Sequence, residues 1–393
     1  MPDNGDQLTI GVNEGIGKID AGAWDACALP PDGDGNPFVS HAFLLALEDS
    51  GSVGGRSGWQ PQHLTAIGPD GSLLGCVPLY LKSHSQGEYV FDHGWADAFE
   101  RAGGQYYPKL QAAVPFTPVP GRRILVRPGP YADQVADALG AALAEIVQSN
   151  ELSSAHVTFC AEDEWERLGR LGYLQRLGQQ YHWHNAGYGS FDDFLGALNS
   201  RKRKAIRKER EAVHKAGLTM RQLSGGEIEP RHWDAFFAFY MDTGSRKWGR
   251  PYLTRKFFEL LGARMADSVV LMVAEDAAGQ LVAGALNLKG REALYGRNWG
   301  CIEDYRFLHF EACYYQAIDY AIAHGLKRVE AGAQGEHKIQ RGYLPAPTYS
   351  AHFIANKSFR TAVDDYLKRE RQAMRQQIDE LAEYSPFRKT GEN

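Results

Sequence analysis

The run Ala331-Gly332-Ala333-Gln334-Gly335-Glu336-His337-Lys338 sets three ionisable residues in a row behind small ones, and its two glycines let a ligand come close to the backbone. Glu336 and His337 are of the types that can take a proton from an amine, His because its ordinary pKa lies near neutrality. Arg341 and Tyr343 follow and add a second cation and a phenolic acid for a leaving group. A solvated turn on a glycine-rich loop would share this composition. Another set falls in the stretch SHSQGEYVFDHGWADAFERAGGQYYPKLQAAVPFTPVPG, residues 83–121, together with the preceding Lys82. Lys82, His84, Glu88, Asp92, Trp95 and Tyr107, with Tyr89, Tyr106 and Lys109 nearby, combine aromatic planes with mixed charge. That combination suits a sugar, a peptide or another polar amine, although the aromatics would equally serve as the core of a large loop.

The decapeptide from Arg201 to Arg210 carries seven cations and one anion. In a helix Arg201, Lys204 and Lys208 share one face, with Arg203, Arg207 and Arg210 on the next. So many like charges repel unless an anion lies near, and the phosphates of coenzyme A, of a tRNA or of a lipid- or nucleotide-linked acceptor would serve. A solvated charged face is the plain alternative. His182 and His184 are two apart on a predicted strand but have no third ligand nearby in sequence, so no metal site is expected. GVNEGIGKID lacks the spacing and the Ser or Thr of a phosphate loop, and no G-x-S-x-G, kinase signature or H-E-x-x-H occurs.

The elements that must hold these residues form two copies of one α/β unit. Residues 59–83 read as strand, turn at Gly68-Pro69-Asp70-Gly71, strand, and residues 268–290 read alike with a turn at Asp276 to Gly279. Leu79-Tyr80-Leu81-Lys82 matches Leu286-Asn287-Leu288-Lys289. After each hairpin come a helix (131–150; 309–325) and strands (155–162; 327–333 and 348–355). The expected domains are residues 1–187, with an insertion near 83–121 of the kind used as a lid or binding surface, and 188–393, with the basic helix and a long C-terminal helix. On that helix Val363, Leu367, Met374, Ile378 and Leu381 share a face.

Composition fits a globular protein, with 44% hydrophobic and 23% charged residues in 393. No apolar run is long enough to span a bilayer and the acidic N-terminus lacks a signal-peptide layout, which predicts a cytoplasmic protein. Five scattered cysteines fit reduced thiols. The net charge of −5 averages unlike halves: residues 1–189 carry −11 and residues 190–393 carry +6, a surplus equal to that of the basic decapeptide.

The second half, from Phe191 to Ile354, resembles the superfamily that joins GNAT-like N-acyltransferases to the FemABX aminoacyltransferases of peptidoglycan synthesis. The likeness lies in the basic helix FLGALNSRKRKAIRKEREAVHKAGL, the aromatic helix ending in a basic loop, the hairpin, and a strand leading through Gly332 to Lys338. The whole chain is similar to the FemAB-like family of predicted N-acyltransferases through NPFVSHAFL, PLYLKSHSQGEYVFDHGWADAFE, YYPKL, VPFTPV, SRKRKAIRKER, RKWGRPYLT and GAQGEHKIQRGYLPAPTYSAHF. The resemblance implies two tandem GNAT-like lobes, each a mixed sheet flanked by helices, and transfer of an acyl or aminoacyl group from an activated donor to an amine. No permanent cofactor and no DNA partner are expected; the co-substrate would be an acyl-CoA or an aminoacyl-tRNA, and the acceptor a small-molecule amine or cell-wall precursor.

By similarity to the superfamily's strand-to-lysine turn, Lys338 would hold a phosphate or carbonyl oxygen as a point charge, with Glu336, His337 and Tyr343 as its catalytic companions. Arg203, Arg207, Arg297 and Arg341 would bind the donor, and Lys82, His84, Glu88, Asp92, Trp95 and Tyr107 the acceptor. Coenzyme A finds no motif of its own: the nearest turn, Arg297-Asn298-Trp299-Gly300-Cys301-Ile302, has Ile where Gly or Ala is expected. Two alternatives stand beside this reading, an aminoacyl-tRNA-dependent transferase of the FemABX type acting on a peptidoglycan precursor, and a non-catalytic protein that recognises a cell-wall or polar-amine ligand.

Overall fold

Both predicted hairpins form, but they are built differently. Val269–Glu275 and Leu281–Lys289 pair antiparallel in one sheet, with a register shift between Ala274 and Glu275 next to the turn at Asp276 to Gly279, where Gly279 takes φ 76°. The first copy is cut into Trp59–Pro61, His63–Ile67, Leu73–Val77 and Leu79–Lys82. Pro78 has no N–H to continue a ladder, and the chain changes sheets there. The inner strands join a four-stranded antiparallel sheet of order Thr9–Asn13, His63–Ile67, Leu73–Val77, Leu125–Val126. The outer strands pair with each other and, through Leu79–Lys82, with Lys109–Ala112.

The computed structural model describes residues 8–247, 251–333 and 335–388, with the side chains of residues 245–247 left out. Gln334 and the Trp248 to Arg250 part of the RKWGRPYLT run therefore lie outside the described residues. The chain divides into two units, one of residues 1–178 and 347–376, the other of residues 179–346 and 377–393. This differs from the expected border at 187/188 and from the assignment of all C-terminal residues to the second lobe. Tyr349 to Ile354 of the strand Leu344–Ile354 pair with Ser154–Cys160 of the first unit. The helix Lys357–Glu383 then packs Val363 and Leu367 with Trp95, Tyr106, Leu174 and Ile354. Of the predicted apolar face, Val363, Leu367 and Leu381 are buried while Met374 and Ile378 are half-buried.

In the first unit Lys109–Ala112 runs parallel to Ser154–Cys160. The helix Ala132–Ser149 buries Val135, Leu139, Leu143 and Val147, spaced three or four apart, in a cluster with Leu64, Val77 and Val157. Each such side chain contributes roughly 1.5–3 kcal/mol when fully buried. Segment 83–121 carries a helix, His93–Arg101, and the strand Lys109–Ala112, and Trp95, Tyr106 and Lys109 are buried in it. Much of the expected lid is thus interior.

In the second unit four antiparallel strands follow in order: Thr219–Ser224, Val269–Glu275, Leu281–Lys289 and Ala293–Cys301. The last runs parallel to Arg328–Glu330, which pairs antiparallel with His182 to His184. The basic run is helical as predicted, Ser200–Lys215, with Asn199 accepting a 3.0 Å bond from the Lys202 N–H as its cap. The predicted helix at 309–325 is Leu308–Phe310, a π-helical turn Glu311–Tyr315 and Gln316–Ala323.

Candidate functional site

Parallel pairing between Ala293–Cys301 and Arg328–Glu330 covers only three residues each and ends at Tyr295 opposite Glu330. On the other side of Ala293–Cys301, the ladder to Leu281–Lys289 shifts register between Leu286 and Asn287. Such a bulge bends a strand and re-aims its side chains. Past the end of the parallel pairing lies a cavity of about 400 Å³, lined by Asn287, Gly296 to Trp299, His309, Cys313, Tyr314, Ala331, Gly335, His337 and Lys338.

The turn Glu336–Arg341 carries the predicted ionisable residues into this region. Gly335 precedes it at φ 97°, and a Cβ there would sit 2.3 Å from the His337 ring, so only glycine fits. Lys338 is 5% exposed. Its ammonium donates to the carbonyls of Ala331 at 2.5 Å and Gly332 at 3.1 Å. An ammonium has three donors, so one N–H is left for a ligand in the cavity. Burial lowers its pKa to about 8. His337 is shifted below the ordinary histidine value by burial, with the Arg341 and Lys338 charges acting the same way. Burial raises the Tyr314 phenol far above its ordinary value. The His337 Nε2 and the Tyr314 hydroxyl share a hydrogen bond of 3.0 Å; in the tautomer in which Nε2–H donates, Nδ1 keeps its lone pair. A neutral imidazole beside a cavity that holds a cation is equipped to receive a proton.

Other predicted companions are placed differently. Glu336 is exposed and is not among the lining residues. Tyr343 is fully buried in the apolar core, its hydroxyl donating to the Tyr314 carbonyl at 3.1 Å, so it supports the π-helical turn and cannot protonate a leaving group. Arg341 is a tie, not a donor-facing cation. It donates to both Glu209 carboxylate oxygens at 2.8 and 2.9 Å and to the His337 carbonyl, and its guanidinium lies 3.5 Å from the centre of the Phe310 ring. Arg297 does line the cavity. It lies inside the strand Ala293–Cys301, well before the helix that begins at Leu308, so these residues form no phosphate turn at a helix N-terminus, in keeping with the missing coenzyme A motif.

Along the basic helix, Arg207 pairs with Asp192 at 3.0 Å, and Arg210 with Glu311 and Asp319 at 3.0 and 2.7 Å. Among the described residues no ion pair involves Arg201, Lys202, Arg203, Lys204 or Lys208. Arg203 is half-buried and Arg207 exposed.

The acceptor-binding candidates of the first unit form an interior network instead of an open face. Lys109, fully buried, donates to Ser85 at 2.8 Å, Glu88 at 2.8 Å and Asp92 at 2.5 Å. Lys82 donates to the Gln86 carbonyl at 3.1 Å and lies 3.8 Å from the centre of the Trp59 ring. Burial lowers Lys82 to about 7 and raises Glu88 to about 7. Burial acts to raise Asp92 as well, yet Lys109 and His156 hold it well below the usual carboxylate range. Asp92 also accepts from Tyr106 at 2.7 Å. Tyr107 shares a 2.8 Å hydroxyl bond with Ser85, Trp95 packs edge-on to His352 with ring centres 5.0 Å apart, and His84 is half-buried, its Nδ1 accepting from the Gln86 N–H. Lys82 and Lys109 balance Glu88 and Asp92, because charges this deeply buried must be paired.

His182 is buried beside Glu330, 3.9 Å away, and burial drops its pKa to about 3. Among the described residues no group of three or more His, Cys, Asp or Glu could hold a metal ion. Asn287, Trp299, His309, Cys313 and Tyr314 line the cavity without having been singled out in the sequence. Asn287 did leave a signal, a polar residue in an otherwise apolar strand at the position matching Tyr80.

The profile of the FemAB-like family, described as peptidoglycan biosynthesis/recognition, matches residues 15–389. The chain belongs to the FemAB-like family. No curated protein matches its sequence. Among solved structures, this FemAB-like chain is similar to FemX, with 13% identity and a TM-score of 0.56 over 88% of this chain and 98% of that one. A tandem GNAT protein from the clavulanic acid biosynthesis pathway gives 12% identity and a TM-score of 0.50 over 89% and 99%. L-PGS from Bacillus licheniformis gives 9% and 0.50 over 83% and 96%. The fold is therefore the tandem GNAT-like one, mixed sheets flanked by helices with a long C-terminal helix. Among the described residues, no helix is long and apolar enough to cross a membrane.

Proposed function

We propose that this FemAB-like protein is an N-acyltransferase that moves an acyl or aminoacyl group from an activated ester or thioester to an amine, at the cavity of the second unit. Transfer needs a positioned carbonyl, a donor for the oxyanion and a base for the amine's proton. The observation that carries the reading is the buried Lys338 ammonium, fixed by two backbone carbonyls with one N–H to spare beside the cavity. That N–H is the oxyanion donor, and His337, neutral and hydrogen-bonded to Tyr314, is a candidate base. A cell-wall precursor is the acceptor class that the family description favours.

The donor is an acyl-CoA or an aminoacyl-tRNA. Cations of Ser200–Lys215 that have no ion-pair partner among the described residues favour the tRNA, whose phosphates would neutralise them. A family described as biosynthesis/recognition also includes the possibility of binding without turnover. Mass spectrometry of mixtures of the protein, a muropeptide amine and either donor separates these readings. The expected product is an amide from one donor; binding of the muropeptide with no product from either would replace the transferase reading with recognition.

A further inference from the structure

A second cavity of about 230 Å³ shares two of its lining residues, Trp299 and His309, with the first. Their rings meet edge to face, with centres 5.3 Å apart. The remaining walls of the two cavities differ in charge. Arg297 and Lys338 line the larger one. Glu303 and Asp304 line the smaller, no Lys or Arg is among its lining residues, and neither acid has an ion-pair partner among the described residues. The segment between them is strained: Phe307, which lines the smaller cavity, is held at φ 67°, a left-handed conformation that disfavours a bulky side chain. The π-helical turn that follows puts Cys313 and Tyr314 on the larger cavity. His309 thus stands at the shared wall, its ring centre 5.3 Å from Tyr314 and 6.3 Å from His337.

We infer that the two cavities are charge-sorted halves of one transfer site, the smaller admitting the acceptor as a primary ammonium and His309 taking its proton at the shared wall. This rests on the transferase reading of the larger cavity. The ammonium gives one proton to the His309 imidazole, and the freed lone pair forms the C–N bond to the donor carbonyl carbon while Lys338 holds the resulting oxyanion. Collapse breaks the C–O bond of an ester, or the C–S bond of a thioester. The leaving oxygen or sulfur takes the bonding pair and, relayed by His337, the second proton of the former amine. An amide and an alcohol or thiol result, and His309 returns its proton to water. Opposite charge in the two halves keeps the ammonium from the donor's place and the donor's phosphates from the amine's place.

Each cavity contains a native reporter: Cys301 lines the smaller one and Cys313 the larger, while Cys27, Cys76 and Cys160 are buried. Labelling of the full chain with aminoethyl and sulfonatoethyl methanethiosulfonate, of similar size and opposite charge, reads the sorting by peptide mass spectrometry. Each rate is divided by that reagent's rate with free mercaptoethanol. Cys301 is expected to favour the cationic reagent by about fivefold or more, and Cys313 the anionic one. Glu303→Gln with Asp304→Asn, both at exposed positions, brings the Cys301 ratio toward one and leaves the Cys313 ratio in place. A Cys301 that reacts with neither reagent, prefers the anion or ignores the double substitution overturns the inference, whether or not transfer is observed. If sorting holds, His309→Gln lowers kcat by about a hundredfold with the acceptor KM little changed. An unchanged kcat overturns the proton role. A failure of the transferase reading is distinguishable: sorting with no amide from any donor removes that reading and the proton step, and leaves an amine-binding cavity.

Discussion

Lys338 shows how a proposed functional group and a stability cost coincide. Its folded pKa of about 8 lies below the 10.5 of an ordinary lysine, so unfolding takes up a proton between those values. Stability from this group therefore rises with pH across about 8 to 10.5 and is at its lowest below 8. Lys338→Met removes the buried charge and leaves two carbonyls without a donor. A 2.5-unit shift corresponds to about 3 kcal/mol and each lost bond to about 1 kcal/mol, so the variant is expected to be more stable at pH 7 by about 1 kcal/mol. The gain falls to zero at about pH 9 and turns into a loss of about 1–2 kcal/mol near pH 10.5, where the native lysine no longer carries the penalty. Urea titration at about pH 7 and at pH 10.5 checks this, and a variant equally destabilised at both would mean that burial does not depress the lysine. Sequence carried the identity of this residue and of His337, through a glycine-rich run ending in ionisable side chains. It carried nothing of the fate of Tyr343, Arg341, Lys82, Glu88 or Asp92, because the burial of each is set by tertiary packing that no local pattern records, such as Glu209 for Arg341 and His156 beside Asp92.

At the scale of elements, the site depends on two local departures from regular structure, the end of parallel pairing after Tyr295 and the turn after Gly335. Gly335→Ala would set a Cβ 2.3 Å from the His337 ring at a φ that disfavours any side chain. Displacement of His337 and Lys338 by about 1 Å is expected to lower kcat by about a hundredfold, with global stability reduced by only about 1–2 kcal/mol. Kinetics alongside a melting curve test it; full activity in the alanine variant would show that the turn does not position the site. Hairpins and helices were legible because apolar alternation and helical spacing are local signals. Three features were not. The division of the first hairpin between sheets turns on Pro78, the π-helical turn leaves the spacing of a helix almost unchanged, and the return of residues 347–376 to the first unit depends on pairing of Tyr349 to Ile354 with Ser154–Cys160.

For the molecule as a whole, charge is the most informative property. A net −5 conceals a helix whose cations are in part absorbed by Asp192, Glu311 and Asp319. Arg203 and Lys204 have no such partner among the described residues, so Arg203→Glu with Lys204→Glu is expected to reduce the salt slope of aminoacyl-tRNA binding by about two, whereas Arg207→Glu changes it less. Equal slopes in all three proteins would make the helix a solvated face. The claim on which the rest depends is that the second-unit cavity transfers an acyl group with Lys338 as its oxyanion donor. Its most direct test is the rate of amide formation, followed by mass spectrometry with the donor that supports turnover, in the native protein and in Lys338→Ala at pH 7. Loss of about 2.7–4 kcal/mol of transition-state stabilisation, a hundred- to thousandfold lower kcat, in a variant that still folds is the predicted result. Turnover by folded Lys338→Ala within a few-fold of the native rate would contradict it.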